Sequence, residues 1–170
     1  AGMAMTEGES ERMIVCNGFK DDSYIEAVIL ATKLGRTIIP VVENFDELGL
    51  ILKHARAYDV RPRIGVRVKL ASEGAGRWRE SSGEKSKFGL SPVELVQLLD
   101  RLKSLKRTGI LKLVHFHLGS QITDIRFVKA GLEEVGRYYV ELRKMGLDIT
   151  HVDVGGGLGV DYDGSQTNFH

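Results

Sequence analysis

The sequence predicts an α/β protein built on a parallel sheet, and three observations carry that prediction. Short apolar runs alternate along the chain with segments whose apolar residues recur at helical spacing. The helical segments are opened by capping residues, and two of them are closed by glycine. Two of the strand-like runs lead straight into unusual glycine- or histidine-bearing stretches, at the end where parallel α/β sheets bind ligands. Strict alternation requires crossover connections, which leaves a closed eight-unit barrel or an open doubly wound sheet. Local pattern does not choose between them.

The first strand is Met13-Ile14-Val15-Cys16, ending in Asn17-Gly18. Ser23 followed by Glu26 has capping-box spacing, and Ile25, Val28, Ile29 and Thr32 share one face of the helix it opens, with Gly35 as the stop. Thr37 to Val42 is the second strand, somewhat weakened by Pro40. Asn44 and Glu47 cap the next helix, with Leu48, Ile51, Leu52 and Ala55 inward. Ile64 to Val68 is the third strand. Its helix starts at Ser91-Pro92-Val93-Glu94, with proline at the first helical position and Leu95, Leu98, Leu99 and Leu102 on one face. Leu111 to His117 is the fourth strand, followed by a helix from about Phe127 to Met145 that ends at Gly146. Thr150 to Val154 is the fifth, running into Gly155-Gly156-Gly157. A complete barrel takes about 250 residues. On that reading the chain supplies five of eight strands and is one domain, residues 1–170, truncated at both ends.

Composition narrows the function. The 170 residues are 42% hydrophobic and 28% charged, enough for one core. A formal net charge of +1 supplies no global field for nucleic acid or an anionic membrane, and the apolar runs are too short to span a bilayer. The one cysteine, Cys16, allows no disulfide within the chain and reads as a small buried hydrophobe in a reducing compartment. That places the protein in the cytoplasm, with the periplasm as the alternative. The N-terminus shows no signal-peptide pattern and reads as the end of a helix.

Chemistry is sought just after each strand. Gly155-Gly156-Gly157-Leu158-Gly159 lets the backbone approach an anion and aim successive N–H groups at it. It is neither a Walker loop nor a dinucleotide fingerprint, since Val160 and Tyr162 stand where the latter needs other residues. The bland alternative is a tight turn. In His115-Phe116-His117-Leu118-Gly119-Ser120-Gln121, alternation puts both histidines on the face opposite Val114 and Phe116, toward the site. His115 reads as a satisfied core histidine, His117 as a ring able to lie against a planar ligand, with Gly119-Ser120 offering an N–H and a hydroxyl beside it. No metal motif accompanies the pair. Arg67, near the end of the third strand, faces an anion or forms a structural ion pair. Ala71 to Phe88, with Arg77, Trp78 and Lys87, reads as a lid over the same edge. Arg101, Lys103, Lys106 and Arg107 are a solvated helix end.

Four runs then resemble, in order, the biosynthetic arginine decarboxylases: Val15-Cys16-Asn17-Gly18-Phe19-Lys20-Asp21, Gly83-Glu84-Lys85-Ser86-Lys87-Phe88-Gly89-Leu90, His115 to Gln121, and Asp153 to Tyr162. The His-Leu-Gly-Ser and triple-glycine motifs are shared across the wider alanine-racemase-like family, while the other runs point to the arginine branch. The resemblance covers nearly the whole chain. It implies a partial (β/α)8 TIM barrel of the pyridoxal-phosphate-binding type, fold type III, whose third to seventh strands are present.

By the same resemblance, Gly155, Gly156 and Gly157 bind the phosphate of pyridoxal 5'-phosphate through backbone N–H groups, Ser120 adds a hydroxyl bond and His117 stacks on the ring. Arg67 is site-proximal. Asp153, Leu158, Gly159, Val160, Asp161 and Tyr162 form the cofactor and substrate segment, and Lys87 lies near a subunit interface. The implied reaction converts L-arginine to agmatine and CO2 in polyamine biosynthesis, in a homo-oligomer, dimer or higher, with magnesium in the family's usage. The family's Schiff-base lysine lies upstream, so no catalytic residue is expected here and the 170 residues alone are expected to be inactive; Cys16 does not match the family's proton-donating cysteine. The alternatives are a diaminopimelate or carboxynorspermidine decarboxylase, a non-catalytic relative that binds a partner, and, more distantly, a phosphate-binding sugar barrel.

Overall fold

The computed structural model of the chain describes residues 12–70, 88–119, 122, 124–157 and 159. Among these, five parallel strands stand side by side in sequence order: β1 (Ile14–Cys16), β2 (Ile38–Val42), β3 (Ile64–Arg67), β4 (Leu111–His115) and β5 (His151–Asp153). Helices α1 (Asp22–Lys33), α2 (Phe45–Ala57), α3 (Pro92–Ser104) and α4 (Ile125–Lys144) make the crossovers. A doubly wound sheet reverses its strand order at a switch point. This order never reverses, so the open-sheet alternative falls and the five strands form a curled half-barrel.

One hydrogen bond shows how far the sheet curls. Neighbouring strands lie about 4.8 Å apart, so in a flat sheet β1 and β5 would be separated by roughly 19 Å. Yet the Asn17 amide, just past β1, donates to Asp153 Oδ2 at the end of β5 at 3.2 Å. The two edges face each other across the inner side.

Curling divides the apolar side chains into two sets. Between sheet and helices lies the main core, with Val66, Val114 and Phe116 from the strands against Ile51, Leu98, Leu102 and Val135 from the helices. Inside the curl sits a smaller cluster of Ile39, Val41 and Leu113, with Val15 packed on it. Gly65 belongs to this interior by necessity: a Cβ there would stand 2.7 Å from Leu113 Cδ2 and 3.1 Å from Val41 Cγ2. Helix α4 is held close by Gly131, whose Cβ would fall 2.6 Å from Leu118 Cδ2. Cys16 is buried against Val28 and Ile38, the small-hydrophobe role expected of it.

Local details differ from the sequence reading for identifiable reasons. Asp21, two residues before Ser23, caps α1, because its carboxylate is the one that accepts the Tyr24 N–H, at 2.7 Å. Ser91 and Glu94 do form the full capping box on α3. Asn44 caps α2, but the Glu47 side chain bonds the N–H of Glu43 instead of closing a box. Pro40 sits in β2 with strands on both sides, tolerated because pairing with β3 begins at Val41. Strand β4 ends at His115, leaving His117 just beyond the ladder, and α4 begins at Ile125, where Asp124 caps it. Of the expected lid, Ala71 to Phe88, all but Phe88 lie outside the described residues, Arg77, Trp78 and Lys87 among them.

Candidate functional site

The inner face carries a change of polarity along the strands. Above the apolar layer of Ile39, Val41 and Leu113, the next inward positions are Arg67 and His115, with Glu43, Asn17 and Asp153 at the strand ends. Polar groups sunk in this way need partners. Asp153 serves three of them: its Oδ2 takes the Asn17 amide at 3.2 Å and lies 3.0 Å from His115 Nδ1, and its Oδ1 accepts the N–H of Gly155 at 2.9 Å. The His115 contact is short but badly directed, leaving Nδ1 without a geometrically sound hydrogen bond. The expectation of a satisfied core histidine therefore holds for its burial but not for its bonding.

Both histidines are held neutral. Burial pushes the His115 imidazole below its ordinary value, with Arg67 and His117 adding to the effect and Asp153 opposing it. Burial and then Arg67 do the same to His117. The two rings are close to parallel, 26° between planes with centroids 6.5 Å apart. His117 is half-buried while His115 is buried, so the outer ring presents itself toward the mouth of the half-barrel.

The glycine run bends against these rings. Gly155 has φ +67 and Gly157 φ +95, conformations that favour glycine. A Cβ at Gly155 would stand 2.8 Å from His117 Nδ1, 2.8 Å from the Phe116 carbonyl oxygen and 3.4 Å from His115 Cε1. Gly156 faces open space, with nothing within 4 Å of a Cβ. The turn is pinned from behind: Gly157 O accepts from Ile122 N at 2.8 Å, and Gly159 N donates to Ile122 O at 2.8 Å. Within the glycine run, the Gly155 N–H is given to Asp153 and that of Gly159 to Ile122 O, so Gly156 and Gly157 are the glycines of the run whose N–H groups can face an anion.

Arg67 is placed at the same level, 12% exposed in its side chain, with Nη1 3.3 Å from Glu43 Oε2 and its guanidinium 5.8 Å over the ring of Phe88. Structure thus brings together Arg67, His115, His117, Asp153 and the glycines. Ser120, Leu158, Val160, Asp161 and Tyr162 lie outside the described residues. Among the described residues no cluster of three or more His, Cys, Asp and Glu side chains could hold a metal.

Sequence reasoning passed over Asn17, Lys20, Glu43 and Glu47. Lys20 is fully buried in its side chain, with Nζ donating to Gly18 O and 3.3 Å from Glu47 Oε1. A lysine so enclosed is not available as a nucleophile. Asn17 and Glu43 follow strands directly, so the rule that directs attention to strand ends would have found them. Glu47 looked like an ordinary helix-capping residue.

The family model for the pyridoxal-binding domain of pyridoxal-dependent decarboxylases matches residues 2–170. The chain is 52% identical over 160 residues to a protein of Bacteroides thetaiotaomicron called biosynthetic arginine decarboxylase, covering 94% of this chain and 25% of that one. The Vibrio vulnificus protein of the same name is 48% identical over 167 residues, 98% of this chain and 26% of its own length. The chain thus spans about a quarter of the curated relatives it matches. Among solved structures, the biosynthetic arginine decarboxylase of Campylobacter jejuni superposes with TM-score 0.80 at 37% identity, over 95% of this chain and 25% of that one. The diaminopimelate decarboxylase of Helicobacter pylori complexed with L-lysine gives 0.71 at 28% identity, over 91% of this chain and 38% of that one.

Proposed function

We infer the function from the family: the chain belongs to the pyridoxal-dependent decarboxylases, as part of their pyridoxal-binding domain. We propose that the protein to which it belongs is a biosynthetic arginine decarboxylase, converting L-arginine to agmatine and CO2 on the way to polyamines. The observation that carries this is the glycine turn after β5 set against His117 just past β4, in a chain half identical to relatives of that name.

The residues fit the cofactor. A phosphate needs converging N–H groups with no side chain in the way, and the Gly156 position is open where the Gly155 position is closed by the two histidines. A planar ring can lie against a flat neighbour, and burial and Arg67 make the His117 imidazole harder to protonate. Gly156 and Gly157 would hold the phosphate, with Ser120 adding a hydroxyl, and His117 would lie on the ring. Arg67 supplies positive charge at the same level. Asp153 holds the turn, tying Gly155 to β1 through Asn17. Pyridoxal phosphate, when bound, supplies the electron sink for the pair left by the departing carboxylate. This chain's share is orientation and electrostatics, and the reacting lysine is assigned to another part of the parent protein.

The test is made on the full-length parent. Purified protein should show a visible cofactor band and release CO2 from L-arginine with agmatine as product. Release from diaminopimelate or carboxynorspermidine instead would transfer the assignment to those enzymes. A parent that takes up no pyridoxal phosphate would end the catalytic reading and favour the partner-binding relative. These 170 residues alone should show no lysine-linked cofactor band and no decarboxylation. We assign the parent to the cytoplasm and to a homo-oligomer, to be checked by fractionation and by light scattering. A magnesium requirement is read by assaying with and without a chelator.

A further inference from the structure

We propose that Glu43 is a positioning residue that aims Arg67 into the site, and that the buried pair of Lys20 and Glu47 holds Glu43 in place to do so. The proposal rests on the reading of Arg67 as a site residue. Glu43 stands between β2 and α2 with a side chain only 2% exposed. One oxygen, Oε1, accepts the N–H of Gly18 at 2.7 Å, and the other faces Arg67 Nη1 at 3.3 Å. Its own N–H donates to Glu47 Oε2 at 2.8 Å, Glu47 Oε1 lies 3.3 Å from Lys20 Nζ, and Lys20 Nζ returns to the carbonyl of Gly18. The connections close into a ring through Gly18, whose φ of +83 turns its N–H and carbonyl to serve both sides. Glu43 is thereby fixed from its backbone and from its carboxylate at once.

A purely structural ion-pair cluster would be indifferent to where the site is, and this one is not. Side-chain exposure is 0% at Lys20, 3% at Glu47 and 2% at Glu43, then rises to 12% at Arg67. The closed end is anchored in the strand-to-helix turns, and only the arginine end reaches the mouth of the half-barrel. There the guanidinium lies over Phe88 and makes both site histidines harder to protonate. Four formal charges cancel within the ring and its arginine, two of each sign. Removing one member therefore strands a buried charge, whereas removing Glu43 and Arg67 together does not.

That asymmetry supplies the test, in the full-length parent: wild type, Glu43→Gln, Arg67→Gln and the double variant. Two quantities are read, the pyridoxal phosphate dissociation constant by absorbance titration and the Tm without added cofactor. Glu43→Gln should weaken cofactor binding about tenfold in the wild-type background and less than about twofold in the Arg67→Gln background, since paired groups are non-additive. The Tm of the double variant should be no lower than that of Glu43→Gln. Glu43→Asp, which keeps the charge and shortens the reach, covers poor folding of Glu43→Gln; it should keep most of the Tm and lose about threefold in cofactor binding. Losses that multiply in the double variant, or a Glu43→Asp protein that binds the cofactor like wild type, would overturn the proposal. If Arg67→Gln alone leaves cofactor binding unchanged, the reading of Arg67 as a site residue fails and the proposed role of Glu43 fails with it. The Tm cycle then shows whether the two side chains are coupled only structurally.

Discussion

Replacing Gly155 by alanine tests the site where its geometry is tightest. An L-residue at φ +67 costs about 1–2 kcal/mol in backbone conformation. The added methyl would also stand 2.8 Å from the Phe116 carbonyl oxygen and 2.8 Å from His117 Nδ1. The first of these is backbone at the end of β4 and yields only if the strand end moves, an overpacking cost of about 1–3 kcal/mol. Together the loss is about 2–5 kcal/mol, and the movement displaces His117 from the glycine turn. Gly156→Ala is the matched control, because its methyl meets nothing within 4 Å and its effect on stability should stay within about 0.5 kcal/mol. The assay is urea unfolding of the full-length parent, with cofactor retention after dialysis as the second reading. Gly155→Ala should unfold earlier and lose its cofactor. If the two variants unfold alike, the close approach of β5 to the histidines is not a feature of the folded protein.

Three further expectations concern His117, the two site histidines together, and the glycines of α4. His117→Ala should weaken cofactor binding about tenfold and His117→Phe by less than about threefold, as befits a stacking ring, in a titration of the parent; equal losses would remove the stacking role. Acidification should destabilise the protein through its histidines: the folded state resists protonating His115 and His117, the unfolded chain does not, and stability is lost as pH falls from their ordinary value of 6.5. Glu47, whose carboxyl is pushed up by burial, acts in the opposite direction, so the comparison to make is Tm against pH for wild type and His115→Gln, with the variant giving the flatter profile. On α4, Gly136→Ala should raise stability by up to about 1 kcal/mol, since it meets nothing, while Gly131→Ala forfeits that gain by driving a methyl to 2.6 Å from Leu118; paired Tm measurements decide.

The order of elements was legible because each rested on local chemistry. Ser91, Pro92 and Glu94 start a helix wherever they occur before an apolar stripe, and Val114 and Phe116 had to oppose His115 and His117 by the alternation of a strand. Closure was not legible that way. Local pattern left barrel and open sheet equal, and it took the strand order and the Asn17 to Asp153 bond to separate them. The glycine turn and His117 were visible as residues out of keeping with a plain strand end. Lys20, Glu43 and Glu47 were invisible as a set, because charged residues at a strand end and a helix start look like solvated surface until the fold buries them together. Only tertiary packing makes that cluster a unit.

The Asn17 to Asp153 bond bears on the order in which this chain folds. It joins residues 136 apart, against 25 for the Gly18 to Glu43 bond that ties β1 to β2. Loop-closure entropy makes the longer contact about 1.5 kcal/mol harder to form from the open chain. The β1–β2 corner should therefore be in place early, and the contact that orients Asp153, and through it the glycine turn, among the last. A ligand that grips the turn would then meet a nearly finished fold and act as its final fastening, so pyridoxal phosphate should slow unfolding of the parent while leaving its refolding phases unaltered.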